Sequence, residues 1–216
     1  MVISDVRVVL AHGAWADGSS WARVITALKR DGVKVLAAPL PLSSLSDDVA
    51  ALHRSLNRSD EPIVLVGHAY AGAAVIAEAR SERIKALVYI SALTPDTGET
   101  VADVFYRLSG CPKLPLRRRS RSKRRRTIEP YWRPCSVRFP LACITIPVGR
   151  PLWKDISELV PHRRGRPNDH LRFAALLAER MKAKIKAHAV DHTPSITAPT
   201  VVVDIIRDAI RAVSLV

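Results

Sequence analysis

The chain has 216 residues, 48% of them hydrophobic and 25% charged, a composition that fits one folded domain and excludes a disordered or fibrous protein. No apolar run reaches the roughly 18 residues that a membrane-spanning helix needs. Residues 1–5 lack the charged-then-apolar pattern of a secretion signal, so a cytoplasmic location with no membrane partner is expected. The net charge of +14 is concentrated rather than spread: residues 110–172 hold 17 Lys and Arg against 4 Asp and Glu, whereas residues 1–109 hold 11 against 12. The same stretch carries nine of the fifteen prolines and all three cysteines, Cys111, Cys135 and Cys143. Their odd number and spacing suggest free thiols rather than a disulfide or a zinc site.

Residues 7–10 read as a strand. Trp21, Val24, Ile25 and Leu28 then recur at helical spacing up to Gly32, which is placed to end that helix. Residues 33–37 form the next strand. Asp47 and Asp48 open a second helix bearing Val49, Leu52 and Leu56, and residues 63–66 are a continuous apolar strand of the kind buried on both faces. A third helix is expected over residues 70–80 and a fourth strand over 84–90. Strand and helix in alternation predict an α/β protein with a doubly wound, mostly parallel sheet and right-handed crossovers. Near the C-terminus, residues 171–181 read as an amphipathic helix and 184–190 as a strand. Residues 199–213 read as a closing helix with Val202, Ile205, Ile206 and Ile210 inward. Between these two patterned parts the sequence sustains no period. A strand over 141–148 and a short helix over 153–160 are the candidates there, limited by Pro140, Pro147, Pro151 and Pro161.

Three segments carry the candidate chemistry. Gly67-His68-Ala69-Tyr70-Ala71-Gly72 joins a buried strand to a helix, the place of a nucleophile elbow. There a sharp turn exposes one central residue, and small neighbours, Gly67 and Ala71, let the backbone pack. The central residue is Ala69 where such an elbow has Ser; an ordinary glycine-containing strand-to-helix turn is the other reading. His12-Gly13-Ala14-Trp15 follows the first strand, and backbone N–H groups of such a loop, with that of Tyr70, can hold a developing oxyanion. His12 and Trp15 packing over the sheet edge is the alternative. Asp191-His192-Thr193-Pro194 follows a late strand, where a histidine can turn toward the elbow as general base.

In this chain order the three segments resemble the α/β-hydrolase fold, and specifically small bacterial esterase-type members related to plant methyl esterases and hydroxynitrile lyases. The resemblance covers about residues 5–108 and 171–213. It implies an ester hydrolase that needs no cofactor or metal and acts on a small ester-like molecule. Ala69 stands at its nucleophile position and His192 at its base. The N–H groups of Ala14 or Trp15 and of Tyr70 are its oxyanion donors, with His12 and His68 as further binding residues. The acid that orients the base, an Asp after the sixth or seventh strand in this family, has no match.

Back-translating residues 158–170 and dropping one base permits Ser-Trp-Tyr-Leu-Ile-Ala-Glu-Asp-Asp-Arg-Met-Ile. That is a strand followed by an acidic loop, at the place where the resembled family keeps its acid. Residues 110–170, an irregular basic segment within one domain, are therefore expected to be translated out of the ancestral frame. The run from 117 to 126 has eight basic residues in ten, which suits nonspecific polyanion binding more than base readout, since no aromatic residue interrupts it. Two functional classes stay open: an esterase-type protein weakened or silenced by Ala69, and a small-molecule-binding or vestigial protein.

Overall fold

The computed structural model describes residues 5–58, 60–109, 141–156, 159–163, 179–182 and 186–214. Six parallel strands form one sheet in the order β2-β1-β3-β4-β5-β6: β1 Arg7–Ala11, β2 Lys34–Ala38, β3 Ile63–His68, β4 Ile84–Ile90, β5 Leu159–Arg163 and β6 Lys186–Ala187. Side chains alternate between its two faces, as the strand period of two requires. Val9, Ile63, Leu65, Leu87 and Tyr89 pack on one face with helix α2 (Leu45–Leu56) and the segment after β3. Val8, Leu10, Val64, Val66 and Val88 pack on the other with α1 (Ala22–Arg30) and the closing helix (Pro199–Ser214).

The strand order reverses direction at β1, because β2 lies on one side of it and β3 on the other. In open parallel sheets the crevice beyond the carboxyl ends of the strands at such a switch point is where ligands bind. Both motif loops, after β1 and after β3, leave from it.

Local signals set most boundaries. Gly32, at φ +79°, follows α1; its N–H bonds to Lys29 O at 3.0 Å and that of Val33 to Leu28 O at 3.0 Å, the paired bonds of a Schellman ending. Helix α2 begins two residues before the expected Asp47, because the Ser44 side chain accepts from Asp47 N and caps it. The helix expected over 70–80 is a shorter, widened turn: Ile76 N bonds to Ala71 O, five residues back, and regular helix does not continue to Arg80.

The weakly patterned part departs further from expectation. Residues 141–148 are not a strand: Leu141–Ile144 is a tight helical turn, and Val148 exchanges backbone bonds with Gly98 and Glu99. The expected helix over 153–160 is a single turn, Leu152–Lys154, followed by β5, whose pairing with β4 overrides local preference. Only Lys186–Ala187 of the expected strand 184–190 is a strand among the described residues. Residues 171–178 of the expected amphipathic helix, the basic run 117–126, Cys111, Cys135 and the rest of 110–140 lie outside the described residues. Cys143 is buried with a free thiol.

One helix escaped the sequence reading. Helix α3 (Val101–Ser109) is opened by reciprocal bonds in which Thr100 Oγ1 accepts from Asp103 N at 2.9 Å and Asp103 Oδ2 from Thr100 N at 3.1 Å. That capping box, Thr100-x-x-Asp103, was visible in the sequence. Among the described residues no helix is long and apolar enough to cross a membrane.

Gly32 has open space around its Cα, so Gly32→Ala meets no clash and exposes the cost of the left-handed backbone alone. A loss of about 1 kcal/mol in unfolding free energy is expected in urea titration.

Candidate active site

The turn after β3 is as tight as atoms allow. A methyl added at Gly67 would lie 2.6 Å from Gly72 Cα, and one at Gly72 would lie 2.9 Å from Gly67 O and 2.5 Å from Ala92 Cβ. The close pair is therefore Gly67 with Gly72 rather than with Ala71, whose methyl is simply buried. Between them Ala69 is held at φ +47°, a left-handed conformation uncommon for a residue with a Cβ. The loop after β1 rests on this turn. At Gly13 an added methyl would sit 2.8 Å from His68 Nδ1 and 3.2 Å from Ala69 Cβ, so only glycine lets that backbone lie over the elbow. Trp15 follows at φ +57° and is 57% exposed at the rim.

A cavity of about 880 Å³ opens beside the elbow. Ala14, Trp15, His68, Ala69, Tyr70 and His192 all line it, which brings together six of the seven site residues expected from sequence. His12 is the exception. It is buried at 1% exposure, its Nδ1 lies 3.0 Å from Gly13 O, and it is not part of the cavity wall. The unexpected α3 supplies Val101 and Phe105 to the wall.

Two buried contacts fix the site, and neither was read from sequence. His68 Nε2 donates to the backbone oxygen of His192 at 2.7 Å, and the two rings are 5.2 Å apart between centroids. The elbow thus grips the loop that carries the late histidine. Burial pushes the His68 imidazole down to about 4; neighbouring His192 and His12 add to this, and the bond to His192 O opposes it. Its ring is neutral at physiological pH, and because a carbonyl only accepts, the proton sits on Nε2. On the far side of the elbow, Tyr70 Oη donates to Asp48 Oδ2 at 2.7 Å while Leu42 N donates to Asp48 Oδ1 at 2.7 Å. Burial raises both the Asp48 carboxyl and the Tyr70 phenol above their usual ranges. The sequence reading took Asp48 as a helix-opening charge. Its place three residues after Leu45 and four before Leu52, both buried, was the signal that it faces the core.

Asp191, next to His192, accepts at Oδ1 from Thr193 N at 2.8 Å and from Thr197 Oγ1 at 2.8 Å, holding the turn Pro194–Thr197. Among the described residues no group of three His, Cys, Asp or Glu side chains is arranged to hold a metal ion.

A strand-to-helix elbow with Ala69 at its tip, a glycine-bearing loop laid over it and the backbone of a late histidine bound to it make up an arrangement of the α/β-hydrolase type. The chain belongs to the alpha/beta hydrolase family, whose sequence model matches residues 8–205. It is 32% identical over 115 residues to putative methylesterase 19 of Arabidopsis thaliana, a match covering 46% of this chain and 43% of that protein. The match thus spans less than half the length of that relative. Among solved structures, polyneuridine aldehyde esterase superposes with a TM-score of 0.66 at 17% identity, covering 95% of this chain and 99% of that one. A pyrethroid hydrolase from Sphingobium faniae superposes at 0.61 and 16% identity, covering 98% and 100%. At such identities these two likenesses concern the fold.

The neutral His68 gives a signed pH effect. Its folded value of about 4 lies below the unfolded 6.5, so the unfolded chain binds a proton first and stability falls as pH drops through that window. Between pH 7 and pH 5 this one group removes about 2 kcal/mol. His68→Gln keeps a donor toward His192 O but does not titrate. In urea unfolding it should lose correspondingly less stability over that interval than the unmodified chain.

Proposed function

We propose that this protein is an esterase-type hydrolase whose cavity still takes a small ester-like molecule but whose acyl transfer is lost or very weak. The observation that carries the reading is Ala69 at φ +47° in the elbow, lining the same cavity as His192. The strained geometry that presents a nucleophile is intact, and the nucleophilic oxygen is missing. Oxyanion donors and binding groups alone leave little: removing the serine of a triad lowers kcat on the order of 10⁶-fold. His192 would act as base, with the N–H groups of Ala14 or Trp15 and of Tyr70 as oxyanion donors.

The lack of a sequence match for the acid has, in our reading, an origin of its own: residues 110–170 are out of the ancestral frame. Pro161 supports this: it stands opposite Tyr89 in β5, and proline is depleted in strands. The stretch carries net positive charge far beyond the rest of the chain, and nonspecific, salt-sensitive polyanion binding follows from that charge alone.

With p-nitrophenyl acetate the unmodified chain should turn over near background, and a fluorophosphonate probe should leave the elbow unlabelled. Ala69→Ser alone should give little rescue, because the acid that orients the base in the resembled family has no match in the sequence, and loss of that group costs up to about 10⁴ in kcat. Ala69→Ser together with the frame restored across codons 110–170 should give measurable esterase activity. Robust turnover by the unmodified chain that disappears in His192→Ala would overturn the proposal.

A further inference from the structure

The wall of the cavity grades from buried to exposed. His68, Tyr70 and Ala73 are each at most 6% exposed, whereas Trp15 is 57%, Phe105 50% and Ile196 39% exposed. Four large apolar side chains are exposed among the described residues, and these are three of them; the fourth, Ile146, is not on the wall. A large apolar side chain exposed singly needs no explanation, but three gathered on one cavity mark its mouth as a place where apolar surface is meant to be covered.

The three come from separate elements, and each element is tied down behind its apolar side chain. Trp15 is on the loop that Gly13 lays over the elbow. Phe105 is on α3, where Arg107 pairs with Glu99 at 2.6 Å and the Phe105 ring packs edge-on against Tyr106, 5.7 Å between centroids. Ile196 is on the turn Pro194–Thr197, and Arg23 of α1 donates through Nη1 to its backbone oxygen at 3.3 Å. Side chains held in this way, two of them aromatic with only two torsions each, lose little freedom when a ligand covers them.

We propose that Trp15, Phe105 and Ile196 are specificity-determining residues: they form an apolar collar that holds the apolar arm of an ester or ketone whose carbonyl group lies over Ala69, so the cavity selects ligands with a chain long enough to reach its mouth. This rests on the reading that the cavity takes carbonyl compounds and names the part of the molecule by which it chooses among them. A short ester leaves the collar in water. A longer one covers it and gains about fourfold in affinity for each methylene it buries.

The test uses acetophenone and octanophenone, ketones that share the carbonyl, cannot be hydrolysed and differ in chain length. Binding to the full chain is measured by titration calorimetry, and octanophenone should bind more tightly. Phe105→Ala and Ile196→Ala, both at exposed positions, should each weaken octanophenone about five- to tenfold and acetophenone less than about twofold, as lost contact with one or two methylene groups predicts. Equal weakening of both ketones, octanophenone binding no tighter than acetophenone, or variants that leave octanophenone unchanged even while altering the protein's sedimentation would each overturn the collar and leave the cavity reading in place. No binding of either ketone to the unmodified chain overturns both.

Discussion

Gly67 and Gly72 approach so closely that a single methyl on either would strike the other's backbone, at 2.6 Å from Gly72 Cα or 2.9 Å from Gly67 O. That contact makes the reversal after β3 sharp, and the sharp reversal forces Ala69 into a left-handed conformation. Everything in the site is placed relative to that turn. Gly13 lays the loop from β1 against it, Ala92 brings the end of β4 beside it, and the cavity forms where these chain ends meet. A backbone strained at an apolar side chain has no evident chemical use at that residue. The strain persists because the surrounding contacts over-determine it.

Two buried polar anchors hold the elbow from opposite sides. His68 reaches across to the His192 backbone, and Tyr70 reaches down to Asp48, which also binds Leu42 N in a loop that itself turns left-handed at φ +57°. Each anchor is a residue adjacent to Ala69 in sequence, so displacement of either would move Ala69. A neutral histidine suits the first anchor because burial favours its uncharged form and one ring nitrogen can always donate.

The sheet was readable from sequence because β1, β3 and β4 each carry a run of at least four apolar residues and alternate with helical patterns. The six cavity residues were readable because they fall in short motifs at strand ends. What failed did so for particular reasons. Small residues Ala71, Gly72, Ala73 and Ala74 imply helix by pattern, yet the close approach at Gly72 widens the turn. Asp48 looked like a solvent-facing helix opener because its neighbour Asp47 is one; pairing with Tyr70 depends on a tertiary contact 22 residues away in the chain. Residues 141–163 offered no period to read, and β5 owes its strand to the partner it lies against.

The account turns on an intact carbonyl compound lying over a methyl group where an attacking oxygen would be. A crystal structure of the unmodified chain grown with phenyl acetate tests this most directly. The account predicts uncleaved ester in the cavity, its carbonyl carbon in van der Waals contact with Ala69 Cβ at about 4 Å. Cleaved acetate and phenol, an acetyl group bonded to a cavity side chain, or ester bound only elsewhere would contradict it.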